Sequence, residues 1–258
     1  MNRDTLRQVL VLIVALATIV FNIAANALPL NGLNTGEISD RFEIFFVPAG
    51  YVFSIWGLIY LGLIAYGVYQ VLPAQRENPR LRSIGYIFIL SCIANIIWLF
   101  LWHYEVFEFT LVAMLVLLFS LIAIYLRLNI GRSEVSSAEK WAVHVTFSIY
   151  LGWITVATIA NTTQLLYYLG WNGWGIDPAT WTVIMLGAGV VISALMSITR
   201  ADIAYSLVLV WAYIGIAVKH SSTPLVATSA LLGAGLILVI LLIILFRRYR
   251  QQAAMQPA

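Results

Sequence analysis

Apolar residues in this chain do not alternate with polar ones. They gather into long runs near positions 7–28, 50–71, 83–102, 107–126, 141–162, 181–198, 203–218 and 225–245. A helix needs roughly 20 mostly apolar residues to cross the hydrocarbon of a bilayer, and in lipid only helices and closed barrels keep their backbone hydrogen-bonded. The pattern predicts an all-α polytopic membrane protein with eight spans, the seventh being short and the least sharply bounded. Arg3 and Arg7 precede the first run, which ends in Ala24, Ala25 and Ala27, a composition shared with secretion signals. The run is longer than a signal's apolar segment, and Asn22 and Asn26 share one helical face, so it reads as a packed span.

Composition sharpens the class. Hydrophobic residues make up 62% of the 258 positions and charged residues 10%, with a mean hydropathy of +0.94. A water-soluble domain of this length has no core large enough for so much apolar surface. The single cysteine, Cys92, falls within a span, which excludes a disulfide framework and a thiolate metal cluster.

Charge adds an orientation. Arg3, Arg7, Arg76, Arg80, Arg82, Arg127, Arg132, Lys140, Arg200, Arg247, Arg248 and Arg250 all fall on one side of the eight predicted spans, and only Arg41 and Lys219 on the other. By the positive-inside rule both termini are expected in the cytoplasm, in a bacterial-type plasma membrane. The net charge of +3 reflects that topology. No basic stripe with interleaved aromatics points to nucleic acid.

The connections suit helix ends. Asp177 before Pro178, and Thr223 before Pro224, pair a capping side chain with proline at the first helical position, and Asp202 is placed to cap the seventh span. Two longer outer loops are expected, over 29–48 and 163–180. Trp102, Trp171, Trp174 and Trp181 near the outer boundary, with Trp141 near the inner one, read as an interfacial belt. Trp56, Trp98, Trp153 and Trp211 fall inside spans, where an indole N–H needs a partner or lines a cavity. Counting about 1.5 Å per residue, Asn22, Asn26, Trp56, Asn95, Trp98 and Trp153 occupy one layer in the outer half of the membrane. That layer suits either a site or a set of interhelical amide contacts with packed indoles.

Three stretches carry a resemblance. Val47-Pro48-Ala49-Gly50-Tyr51-Val52-Phe53-Ser54-Ile55-Trp56-Gly57-Leu58-Ile59-Tyr60, Asn95-Ile96-Ile97-Trp98, and Tyr150-Leu151-Gly152-Trp153-Ile154-Thr155-Val156-Ala157-Thr158-Ile159-Ala160-Asn161 occur in this order. They resemble motifs of the second, third and fifth helices of the tryptophan-rich sensory protein family, also called translocator proteins or peripheral benzodiazepine receptors. The resemblance implies a five-helix bundle over 1–170, with 171–258 as a three-helix extension ending in a short basic tail. It further implies a pocket for planar hydrophobic ligands such as porphyrin or haem, lined by Pro48, Trp56, Asn95, Trp98, Trp153, Ala157 and Asn161, with 29–48 as its lid. Asn22 and Asn26 join this set by depth. Independently of the resemblance, Trp153, Ala157 and Asn161 recur at i, i+4 and i+8 and share one face.

The chain departs from the family pattern in three places. A single proline stands where a pair is usual, and the interval from Pro48 to Trp56 is one residue shorter. Residues 162–170 contain no Lys or Arg, so the family's proposed sterol motif is not expected. The three extra spans carry the small pairs Gly187/Gly189 and Gly233/Gly235.

The expected function is sensory binding of a tetrapyrrole or similar ligand, with a role in its movement left open. The rival is a secondary transporter or permease using all eight helices. Ion-coupled transport normally needs ionisable residues within spans, and no Asp, Glu, Lys or Arg falls securely inside these. Enzyme chemistry is not favoured, because His103, His144 and His220 form no triad and no nucleophile–base pair is visible. Light-dependent porphyrin breakdown, proposed for relatives, would carry over as Trp56 and Trp153. No resident cofactor or metal is required. The expected partners are a small hydrophobic ligand and the lipid bilayer, with a homodimer left open.

Overall fold

The computed structural model describes residues 3–28 and 30–254, so Pro29 and the last four residues of the basic tail lie outside the described residues. The described chain is helical. In order it forms α1 (Arg3–Ala27), short α2 (Thr35–Asp40), α3 (Ile55–Val71), α4 (Pro79–His103), α5 (Phe107–Arg127), short α6 (Ser137–Glu139), α7 (Thr146–Tyr168), α8 (Pro178–Arg200), α9 (Ile203–Lys219) and α10 (Pro224–Ala254). Seven segments are long and apolar enough to cross a membrane, and α9, with 17 residues, is the short one. Its length corresponds to about 26 Å of helix. The protein is therefore an integral membrane protein of the all-α, polytopic class. Among the described residues Leu, Ile, Val and Phe side chains cover the outer faces, as a lipid-facing surface requires.

Two compact units can be distinguished. The first comprises Met1–Ile44 and Phe53–Trp171, the second Phe45–Val52 and Asn172–Ala258.

In the first unit α1 packs on α3 and α4, α4 on α5, and α5 on α7. At one end the contacts are charged. Arg80 grips the buried carboxylate of Glu139 through Nε at 2.6 Å and Nη2 at 2.7 Å. Asp4 accepts from Arg7 at 2.7 Å and from Arg82 Nε at 2.9 Å, while Arg7 Nη2 donates to the Arg76 carbonyl at 2.9 Å. Just inside them Gln8 and Gln70 exchange amide bonds across α1 and α3, Gln70 Nε2 donating to Gln8 O at 2.8 Å and Gln8 Nε2 to Gln70 O. Neither glutamine leaves its amide unsatisfied in the apolar interior. A π-helical turn, Lys140–Val145, leads into α7. Thr146, just after it, approaches α3 so closely that a Cβ on Gly62 would stand 2.8 Å from Thr146 Oγ1. Only glycine leaves that space.

In the second unit α8, α9 and α10 pack on one another. Asp177 caps α8 by accepting from Ala179 N and Thr180 N, and Asp202 caps α9 by accepting from Tyr205 N, as expected. Tyr213 explains one member of each small pair. Its ring lies against Gly189 and Gly233, and its hydroxyl donates to the Leu186 carbonyl at 2.6 Å. Gly187 and Gly235 meet open space instead. Segment Phe45–Val52 docks on α9 through main-chain hydrogen bonds and through the rings of Phe45, Phe46 and Tyr51, which meet His220, Tyr213 and Trp211 edge-on at 5.3, 6.5 and 5.3 Å. Ala49 N donates to Gly215 O at 3.1 Å, Trp211 Nε1 to Val52 O at 3.1 Å and His220 Nε2 to Val47 O at 3.2 Å. A side chain on Gly215 would collide with Val52 and Pro48.

Two boundaries differ from the sequence expectation. Helix α7 continues to Tyr168, so the expected loop 163–180 is helical at both ends and irregular only between them. Thr162 and Thr163 return their hydroxyls to the carbonyls of Thr158 and Ile159, at 2.8 and 2.9 Å, which lets polar residues extend an apolar helix. Trp102 is not a belt residue. It is buried, stacks on Trp98 at 5.3 Å between centroids, and donates to the Thr35 carbonyl at 3.2 Å. Trp141 and Trp174 are exposed as a belt requires.

Candidate functional site

The site residues of the first unit fall into two polar chains and one aromatic cluster. Asn22 of α1 donates from Nδ2 to Asn95 Oδ1 at 2.7 Å, and to the Thr18 carbonyl one turn back at 2.9 Å. Asn95 of α4 donates in turn to Tyr150 Oη of α7 at 3.2 Å. All three side chains are buried, so this chain ties three helices together through a dry interior. One turn further along α4, Trp98 Nε1 donates to Asn161 Oδ1 of α7 at 3.1 Å. Asn161 Nδ2 donates to Thr110 Oγ1 of α5 at 3.0 Å and to Gln164 Oε1 at 3.1 Å. Thr110 passes its own proton to the Phe107 carbonyl at 2.7 Å.

Tyr150 joins the first polar chain to the aromatic cluster. Trp56 of α3 meets Tyr150 at 6.0 Å and Trp153 at 6.3 Å between centroids, both edge to face, and stacks on Tyr60 at 5.7 Å. Phe53 meets Trp153 edge-on at 5.6 Å. Trp153 is buried and Trp56 half-buried. Aromatic pairs favour such offset and edge geometries, each adding about 0.5–1.5 kcal/mol beyond area burial.

The structure thus brings together Asn22 with Asn95, Trp98 with Asn161, and Trp56 with Trp153. Ala157 lies on α7 between Trp153 and Asn161 and is half-buried. Asn26 is exposed at the end of α1, donating to the Asn22 carbonyl at 2.9 Å and accepting from Thr35 N at 3.2 Å. It organises the loop rather than facing the interior. Pro48 belongs to the second unit, buried beside Gly215. Tyr150, Thr110 and Gln164 were not singled out from the sequence. Tyr150 precedes Trp153 by three residues and Gln164 follows Asn161 by three, so helical periodicity alone would have put both on the site's face.

The loop after α1 closes over one end of these helices. Asn34 and Glu37 form a reciprocal capping box at the start of α2. His103 Nδ1 faces the Leu30 carbonyl at 3.1 Å, which can only accept, so Nδ1 carries the proton and Nε2 accepts from the Thr35 hydroxyl at 3.1 Å. Phe42 lies edge-on to Phe107 at 5.1 Å and Tyr167 at 6.1 Å, and Arg41 pairs with Glu105. Among the described residues no group of His, Cys, Asp and Glu could hold a metal ion.

These features define a class: a polytopic helical membrane protein whose interior carries amides and indoles from four helices. Within that class, a family model described as TSPO-like protein matches residues 8–243, from α1 into α10, and the chain belongs to that family. Comparison with curated proteins and with solved structures found no match.

Proposed function

We propose that this membrane protein binds a planar hydrophobic ligand of the tetrapyrrole class and takes part in its sensing or movement. The observation that carries the reading is the cluster of Trp56, Trp153 and Tyr150, joined by the Tyr150 hydroxyl to the Asn22–Asn95 pair. A flat ring entering this cluster exchanges edge contacts for face contacts with the indoles, while amides address its polar rim. Residues 30–44, tied to the end of α4 by Trp102 and His103, act as the cover. Both termini lie in the cytoplasm, which accords with arginines 7, 76, 80 and 82 meeting at one end of the first unit.

Equilibrium titration of the detergent-solubilised protein with porphyrins, haem and sterols, read by tryptophan fluorescence, tests the proposal. Saturable quenching by the tetrapyrroles, weakened in Trp153→Phe, is expected. Equal response to every hydrophobic compound, or none to any tetrapyrrole, refutes it. Flux of the best binder in proteoliposomes separates binding from movement.

A further inference from the structure

The polar chain that begins at Trp98 ends on an unused donor. An indole N–H can only donate, so Asn161 must present its oxygen to Trp98. The Asn161 nitrogen is thereby turned toward Thr110 and Gln164, and Gln164 must present its oxygen to that nitrogen. Thr110 has already given its proton to Phe107 O. Each amide orientation is forced by the one before it, and the last group, Gln164 Nε2, has no hydrogen-bond partner although Gln164 is only 1% exposed. A buried amide donor left this way carries the full penalty of its lost hydration. Flipping Gln164 would not relieve it, because two N–H groups would then face each other.

The position of this donor has a second feature. Gln164 stands one turn before Tyr167 and Tyr168, whose rings meet Phe42 of the covering loop and Phe107 at the start of α5. The orphan therefore lies at the covered end of α7, on the same helix as Trp153 and close in sequence to Asn161.

We infer that Gln164 is the specificity-determining donor of the ligand site, addressing a carboxylate or carbonyl oxygen on the rim of the bound ring. This rests on the ligand reading given above. The aromatic cluster holds any flat apolar ring, and Gln164 discriminates rings that carry an acceptor from rings that do not. An acceptor restores the lost hydrogen bond, whereas a bare hydrocarbon rim leaves the donor unpaired. Discrimination of that kind is steeper than shape alone provides.

The test compares two metal-free probes on the full chain: deuteroporphyrin IX, which carries carboxylates, and etioporphyrin, which has the same ring and no oxygen. The parent should bind deuteroporphyrin about tenfold more tightly, as a hydrogen bond to a charged acceptor implies. In Gln164→Met that ratio should fall close to one while etioporphyrin affinity stays within about twofold. A purely structural glutamine, or one served by a water molecule, moves both affinities together and leaves the ratio intact, and that result overturns the inference. Equal binding of the two probes by the parent overturns it as well and needs no variant, so the inference stays testable if Gln164→Met does not fold. Binding of neither probe instead removes the tetrapyrrole reading itself.

Discussion

Replacing Asn95 with leucine should destabilise the protein by about 1–2 kcal/mol, and most of that loss should disappear when Asn22 is already leucine. Asn95 accepts from Asn22 at 2.7 Å and donates to Tyr150 at 3.2 Å, and both partners are buried. Leucine has the same number of side-chain heavy atoms in the same branched arrangement, so no cavity opens, and the overpacking cost of its larger methyl groups is separated from the hydrogen bond by the double-mutant cycle. It leaves one Asn22 N–H without an acceptor, because the other is held by Thr18 O. In water-soluble proteins an orphaned buried donor costs about 1–3 kcal/mol. Interhelical hydrogen bonds in membranes average nearer 0.6 and reach about 1.7, since a helix separated in lipid still finds partners. A double-mutant cycle over Asn95→Leu and Asn22→Leu should therefore give a coupling of about 0.6–1.7 kcal/mol by reversible unfolding in mixed micelles. Asn26→Leu, at the exposed end of α1, should change stability by no more than about 0.5 kcal/mol. A coupling within about 0.3 kcal/mol of zero would mean that the two amides act independently, and the reasoning from burial would fail.

Trp153→Phe should weaken porphyrin binding by about 1 kcal/mol and reduce fluorescence quenching, with folding unchanged by thermal denaturation; full affinity in a folded variant refutes the aromatic site. Glu139→Gln should lower stability by about 1–3 kcal/mol, less than a fully buried pair would lose because Arg80 is 39% exposed and screened; an unchanged melting temperature removes the pair from the account. In a Cys92→Ala background, single cysteines at Glu77 should label only from the cytoplasm and those at Glu37 or Asn172 only from outside, and labelling of all three from one side refutes the orientation. His220 is held below its ordinary pKa by burial, with the neighbouring Lys219 acting in the same direction against its bond to Val47 O. Its contribution is complete above pH 6.5 and declines as pH falls through the lowered folded value. Hydrogen exchange at Ala49 N, corrected for intrinsic rate, should quicken on acidification in the parent and not in His220→Gln, which keeps a donor without the titration; identical pH profiles refute this.

The spans and the amide layer were legible because both follow from fixed helix geometry. A rise of about 1.5 Å per residue places Asn22, Asn95 and Trp98 at matching depths, and the structure joins Asn22 to Asn95 and Trp98 to Asn161. Exact partners were not legible, since depth does not fix rotation about the helix axis. Trp102 shows the limit: its sequence position fits a membrane boundary equally well, and only the fold of residues 30–44 over α4 turns it into a buried ring bonded to Thr35. The last turns of α7 were missed for a different reason. Hydropathy scores Thr162, Thr163 and Gln164 as polar, but it does not register that two of these groups are satisfied by their own helix or that the third is buried.

Segment 45–52 was hidden at a deeper level. Its hydrogen bonds to α9 use its main chain, at the Val47 carbonyl, the Ala49 amide and the Val52 carbonyl, and the rings of Phe45, Phe46 and Tyr51 pack edge-on against His220, Tyr213 and Trp211. Main-chain groups are the same whatever side chains surround them, and the rings of Phe45, Phe46 and Tyr51 read in sequence as ordinary apolar positions, so Phe45–Val52 does not by itself name its partner. The partner lies more than 150 residues away and is marked by an indole at Trp211, an imidazole at His220 and a bare backbone at Gly215. Read alone, those three residues look like an aromatic inside a span, a histidine at its end and an unremarkable helical glycine. Their spacing gives each a separate physical reason once the docked strand of backbone is known: two donors need acceptors in an apolar setting, and the glycine between them leaves room for Val52 to approach. A segment held by such contacts loses one ring contact when Tyr51 is replaced but keeps its main-chain bonds, and is released by changes at Trp211, Gly215 or His220, which is where variation should be least tolerated in the second unit.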